Sequence, residues 1–190
     1  MARPSSVGIG PAFDSVLAAA QRNAPWAFER LWRAYATPVA SYLRLQGAFD
    51  PEDLTSEVFL GAFKDIARFD GDEDRFRGYL FTIAHRRLTD ERRRASIRPQ
   101  WADRGGDLPD HTGGDVEADA WRRLGEERVV NLCDQLVSGQ RDVLLLRLIA
   151  DLTVEQVAEA LGRTAGAVKQ LQRRGLANLR EILVREGVPL

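Results

Sequence analysis

One cysteine and two histidines are all the thiol and imidazole groups this 190-residue chain contains. With Cys133 alone no disulfide framework is possible, which fits a reducing compartment and predicts a cytoplasmic protein. His85 and His111 stand in different segments with no Cys or His at ligand spacing, so neither a metal site nor a cofactor is expected. Long apolar runs are missing as well. None approaches the ~18–20 residues that cross a bilayer, and the first 25 residues lack a signal-peptide core. The chain also lacks GxGxxG, GxxxxGK[ST] and GxSxG, so nucleotide binding and nucleophilic hydrolysis have no support. With no acid–base or nucleophile constellation either, an enzyme is not expected.

What is present is charge, and it is segregated. The formal net charge is −1, from 27 Lys plus Arg against 28 Asp plus Glu. Residues 50–74 nevertheless carry nine acids and two bases, whereas residues 84–98 carry six Arg and two acids. Residues 99–120 return to −5 and residues 161–185 reach +5. Two basic blocks set between acidic ones offer two places for a polyanion to dock. The hydrophobic share of 44% supplies a packed core.

The apolar residues recur at helical spacing, and no stretch sustains alternation, so the fold class is all-α. Phe13, Val16, Leu17 and Ala20 form a first stripe. Asn23 and Pro25 signal the next helix start, carrying Phe28, Leu31, Trp32 and Tyr35, and Thr37-Pro38 should kink or break it. Asp50-Pro51-Glu52-Asp53 reads as an N-cap followed by Pro and acids facing the helix dipole. Phe76, Tyr79, Leu80, Ile83 and Leu88 predict a helix over about 75–94. Residues 96–118 lose periodicity, contain Pro99, Gly105, Gly106, Pro109, Gly113 and Gly114, and read as a flexible acidic linker. Two small helical domains are expected, 12–95 and 119–187. Trp121, Leu124, Leu132 and Leu136 open the second. Ser138 is a cap candidate for a helix carrying Val143, Leu144, Leu146 and Leu148, and Leu171, Leu176, Leu179 and Ile182 stripe the last helix.

The sharpest pattern lies in this second domain. Thr153-Val154-Glu155-Gln156 fits a capping box, Gly162 ends the helix it starts, and Thr164 caps the next. Ala158 permits a close crossing and Val168 an apolar anchor, as in a helix-turn-helix. Its second helix would enter a major groove, with Ala165, Gly166, Lys169, Gln170 and Arg173 off the apolar stripe. The plain alternative is a helical hairpin with a solvated basic face. In the first domain, Phe76, Tyr79 and Phe81 precede an Arg cluster, a combination suited to separated strands. Stripe spacing places Phe76 and Tyr79 in the core rather than on a stacking platform. His85, Arg86 and Thr89 lie off that stripe and are the better candidates for base contact.

Three segments carry a family resemblance. Residues 50–60, DPEDLTSEVFL, resemble the polymerase-binding helix of extracytoplasmic-function (ECF) sigma factors. Residues 76–90, FRGYLFTIAHRRLTD, resemble that family's minus-ten recognition segment, and the stretch from Thr153 to Arg174 is similar to its minus-thirty-five reader. The resemblance implies a transcription initiation factor that binds core RNA polymerase and promoter DNA, commonly under the hold of an anti-sigma factor. It places core-polymerase contacts on Asp53, Ser56 and Glu57. It places minus-ten contacts on His85, Arg86, Thr89, Asp90 and Arg93, and minus-thirty-five contacts on Thr164, Ala165, Gly166, Lys169, Gln170 and Arg173. Ser56 stands where the family usually has Gln, Arg86 where it has Asn, and Tyr79 where it has Trp. Two other readings remain: a helix-turn-helix regulator that never enters the polymerase, and a helical adaptor whose charge blocks pair with proteins.

Overall fold

The computed structural model describes residues 8–97 and 129–187. Every regular element among them is helical. A 3₁₀ turn, Gly10–Ala12, leads into α1 (Phe13–Gln21), then α2 (Pro25–Leu45) and α3 (Pro51–Lys64). A second 3₁₀ turn, Ile66–Arg68, precedes α4 (Glu73–Ile97). Residues 129–134 are helical, followed by α5 (Ser138–Leu148), α6 (Val154–Leu161) and α7 (Ala165–Arg185).

Local chemistry explains most boundaries. The Asp50 carboxylate accepts the Asp53 N–H at 2.8 Å, with Pro51 at the first helical position. Such a cap stabilises a helix by about 1 kcal/mol. The Asp72 carboxylate accepts the Arg75 N–H at 2.9 Å in the same way, so α4 begins at Glu73, two residues earlier than periodicity predicts. It also runs through Ile97, into the segment expected to be a linker. Residues 98–118 of that segment, with His111, lie outside the described residues, as do Trp121 and Leu124.

Three local expectations are corrected. α2 continues through Pro38, because proline removes one backbone hydrogen bond while fully buried Tyr35, Val39 and Tyr42 on either side hold the helix to the core. Asn23 is not the cap of α2. It adopts a left-handed φ of 59° and donates its N–H to Ala20, closing α1, and Ala24 is the residue that precedes α2. Ser138 is already inside α5, whose preceding residue Val137 offers no side-chain cap.

The core of the first block is built from α2 (Leu31, Tyr35, Val39, Tyr42), α3 (Leu54, Val58, Ala62) and α4 (Phe76, Leu80, Phe81, Leu88). Phe76 is its hub, with Phe13, Tyr35 and Phe69 rings at centroid distances of 5.4–5.6 Å. Val143, Leu146, Leu152, Val157 and Val168 of the second block join the same apolar cluster. Leu136, Leu144 and Ile182 form a smaller cluster under α7. Leu148 and Leu176, on expected stripes, are instead 64% and 45% exposed.

The two blocks therefore pack on one another along α4. Gln156 Nε2 donates to the Asp74 carbonyl at 2.8 Å, and Arg77 Nη2 reaches the Asp151 carbonyl at 3.4 Å. Further along, Gln46 Nε2 donates to Asp142 Oδ1 at 2.8 Å.

Candidate nucleic-acid interface

The helix-turn-helix is held by its own side chains. Thr153 Oγ1 accepts the Gln156 N–H at 3.2 Å, and Gln156 Oε1 accepts the Thr153 N–H at 2.8 Å, closing the expected capping box. Gly162 ends α6 at φ 60°, a left-handed conformation that side chains disfavour. The next N–H, on Arg163, returns to the Ala158 carbonyl at 2.9 Å. Thr164 Oγ1 then accepts the Ala167 N–H at 3.2 Å and starts α7. Val168 is fully buried, so the opposite face of α7 must point outward.

That outward face carries exposed Thr164, Gly166, Lys169, Gln170 and Arg173, with Ala165 half-buried. Positions 166, 169, 170 and 173 share one face at helical spacing. A Cβ on Gly166 would meet nothing within 4 Å, so the fold does not demand glycine there and the space lies open to a partner. Gly175 is different. It is buried where α7 crosses α5, and a Cβ there would stand 3.0 Å from Leu144 Cδ1 and 3.2 Å from Gln140 Cβ.

α4 sorts its residues more finely than sequence spacing does. Phe76 and Phe81 are fully buried core, not a platform. Tyr79 is half-buried beside Phe69, ring centroids 5.6 Å apart, in a crevice of about 670 Å³. Asp70, Arg75 and Thr82 also line this crevice, with Gln156 and Glu159 of α6 opposite. Burial raises the Tyr79 hydroxyl above its ordinary pKa, with Asp65 adding to the shift. Among the minus-ten candidates, Arg86 and Thr89 are exposed, and Thr89 spends its hydroxyl on the His85 carbonyl at 2.8 Å. Asp90 pairs with Arg93 at 3.7 Å. His85 is half-buried, its Nδ1 2.9 Å from the Tyr42 hydroxyl, and burial lowers its pKa from the ordinary 6.5.

The arginine cluster is thus not one solvated face. Arg92 bonds the carbonyl and side chain of Gln46, and Arg87 lies 3.5 Å from Glu57. Arg77 is buried in the seam with α6, at 2% exposure.

On α3, Asp53 and Ser56 are exposed and Glu57 is half-buried. Ser56 donates its hydroxyl to the Glu52 carbonyl at 3.1 Å. Leu60 continues this face one turn on and is 71% exposed. Sequence reading missed it, although the signal was there: an apolar residue off the Leu54–Val58–Ala62 stripe.

These surfaces coincide with two family models. Sigma-70 region 2 matches residues 27–97, and Sigma-70 region 4 matches residues 134–181. The ECF RNA polymerase sigma factor BldN of Streptomyces coelicolor is 31% identical over 95% of this chain and 69% of its own length. The chain belongs to the ECF sigma factors. SigD of Mycobacterium tuberculosis is 27% identical over 97% of this chain and 90% of its own. The fold likeness extends to CnrH, solved in complex with the cytosolic domain of CnrY, with a TM-score of 0.67 and 24% identity over 92% of this chain and 98% of that one.

As an ECF sigma factor the chain works with core RNA polymerase in promoter recognition and transcription initiation. Region 2 spans α2 to α4, and region 4 spans α5 to most of α7. Among the described residues no helix is long and apolar enough to cross a membrane, and no group of His, Cys, Asp and Glu stands close enough to hold a metal.

Proposed function

We propose that this sigma factor divides its work among three helix faces. Asp53, Ser56 and Glu57 of α3 bind a basic surface of core polymerase. His85, Arg86, Thr89, Asp90 and Arg93 of α4 engage the minus-ten strand. Thr164, Ala165, Gly166, Lys169, Gln170 and Arg173 read the minus-thirty-five duplex. Residues 12–95 and 119–187 are the corresponding domains. The factor acts in the cytoplasm by binding, without catalysing a reaction itself. An anti-sigma protein is a further partner; CnrH, whose fold is similar, was solved in complex with another protein, the cytosolic domain of CnrY.

One observation carries this reading. Exposed Asp53 on α3 and exposed Lys169 and Arg173 on α7 are opposite in charge and face away from the core. An acidic helix suits a basic protein partner, and a basic recognition helix suits DNA. The test is transcription in vitro with core polymerase over a promoter library. Recovery of one two-element promoter class supports the assignment. DNA binding without any polymerase-dependent transcript would refute it.

A further inference from the structure

We infer that the chain ahead of region 2, residues 8–21, sets base preference at the minus-ten element without touching DNA. Gln21 and Glu73 are the positioning residues, and they act by holding the loop 65–72 against α4. The inference rests on the minus-ten assignment of α4 given above.

The loop joins α3 to α4 and forms one wall of the crevice. Its Arg68, Phe69 and Asp70 line that cavity beside Tyr79 and Thr82 of α4. A strand that reaches Tyr79 therefore meets the loop as well. Phe69 couples the two, because its ring packs on Tyr79 at a centroid distance of 5.6 Å and on Phe76 at 5.4 Å. Any shift of the loop moves the Phe69 ring, and with it the setting of Tyr79.

What fixes this loop comes from far upstream. Gln21, the last residue of α1, donates from Nε2 to the Phe69 carbonyl at 2.8 Å and reaches the Ile66 carbonyl at 3.4 Å. The second 3₁₀ turn is thus held at both ends by one side chain from another helix. α1 is itself anchored by buried Phe13, whose ring stands 5.6 Å from Phe76.

A second clasp holds the other end of the loop. Glu73, the first residue of α4, accepts the Ile9 N–H and, at 2.7 Å, the Tyr35 hydroxyl on Oε1, and the Gly10 N–H at 2.9 Å on Oε2. One carboxylate thereby joins residues 9 and 10 to α2 and α4. Burial, and then the bond to Glu73, raises the Tyr35 hydroxyl above its ordinary pKa, so it stays a donor. A Cβ on Gly8 would stand 2.5 Å from Glu73 Oε1, and a side chain there would push the carboxylate out of the clasp.

Gln21 and Glu73 are half-buried, at the rim of a core closed beneath them by Phe13, Tyr35 and Phe76. Loss of either clasp frees the loop and leaves that core in place. A recognition site needs its groups held to within about 0.5 Å by surrounding hydrogen bonds, which is what the two clasps supply.

The test uses the full chain with core polymerase on a library randomised at both promoter elements. Gln21→Glu keeps the shape of the side chain but turns its donor into an acceptor facing two carbonyls. Glu73→Gln sets an amide N–H against one of the N–H groups it now accepts. Each should relax preference at the same minus-ten position about threefold to tenfold, as loss of one neutral hydrogen bond allows. Preference at the minus-thirty-five element and affinity for core polymerase should stay at wild type, and amide exchange across residues 66–72 should quicken. Unchanged exchange in the loop overturns the clasps. Faster exchange with wild-type minus-ten preference, or a loss of yield equal across the library, overturns the positioning role. If Gln21→Glu relaxes minus-ten preference but Arg86→Ala does not alter it, the clasps stand and the minus-ten assignment of Arg86 fails.

Discussion

The Tyr42 hydroxyl and Nδ1 of His85 lie 2.9 Å apart beneath the seam between the two blocks. Gln46 Nε2 reaches the same hydroxyl at 3.4 Å and Asp142 Oδ1 at 2.8 Å, so an α2–α4 contact is tied to α5. Burial is the largest influence on His85 and holds its imidazole below the ordinary 6.5. Asp142 pulls the other way, and Arg92 and Arg163 add to the lowering.

A pH dependence follows, with a definite sign. The unfolded chain binds a proton at His85 near pH 6.5, before the folded chain does. Stability contributed by the neutral ring is complete above that value and is lost as pH falls toward the lowered folded pKa. Denaturant titrations between pH 7.5 and about 5 should show this slope in the native chain. His85→Gln should flatten it. Identical slopes in both proteins would remove His85 as the cause.

Charge reversal on α3 should separate its two acids. Asp53 is exposed, whereas Glu57 already shares its charge with Arg87 at 3.5 Å. Asp53→Arg is therefore expected to weaken core-polymerase binding more than Glu57→Arg, with the double change costing ~2–5 kcal/mol. Helix content should not change. A pull-down titration with core polymerase measures both, and equal wild-type affinity across the set would end this assignment.

On α7, Lys169→Ala or Arg173→Ala should cost ~1–3 kcal/mol and relax base preference at one promoter position if the side chain meets a base edge. A phosphate contact instead weakens all sequences alike and lowers the salt slope by about one. Promoter selection with each variant distinguishes the two. A solvated face leaves both readouts unmoved.

Arg86→Ala should impair initiation on duplex templates more than on templates already melted at the minus-ten element. Lys169→Ala should impair both alike. Abortive transcript yields on matched duplex and bubble templates decide it. Rescue of Lys169→Ala but not Arg86→Ala by pre-melting would reverse the division of labour argued here.

Gly175→Val should destabilise region 4. Its Cβ and branches would press on Leu144 Cδ1 and Gln140 Cβ at the α5–α7 crossing, and overpacking of this kind costs ~1–3 kcal/mol. Thermal unfolding reads the effect. A melting temperature at or above wild type would show that the crossing gives way.

Much of the helix-turn-helix is legible in the sequence. Thr153, Gln156, Gly162 and Thr164 act on backbone groups within a few residues of themselves, so local chemistry alone specifies them. The same holds for Asp50 at the head of α3. Two local readings failed where tertiary packing outweighed propensity. Pro38 sits within a helix held by buried neighbours, and Leu176 is exposed although its spacing marks it apolar and inward. Asn23 failed for a different reason, because a left-handed residue closing α1 and a cap opening α2 share one sequence signature.

The sequence by itself determined the helices, the capped turn, the segregation of charge and the family, because each rests on neighbours within a turn or two or on ordered motifs. Tertiary structure alone decided how the charged residues are used. Arg77, Arg87 and Arg92 look alike in a list of arginines. One is buried under the Asp151 carbonyl, one leans on Glu57 of α3, and one is spent on Gln46 of α2. Glu57 and Gln46 lie 30 and 46 positions from their arginines, and Arg77, which also pairs with Asp74 three positions back, reaches a carbonyl 74 positions on, where no local periodicity can point. The double life of Gln156, capping its own helix and reaching Asp74 of another, arises for the same reason. A side chain's near-sequence partner is set by spacing. Its remaining hydrogen-bonding capacity is assigned only when packing brings a distant backbone within reach.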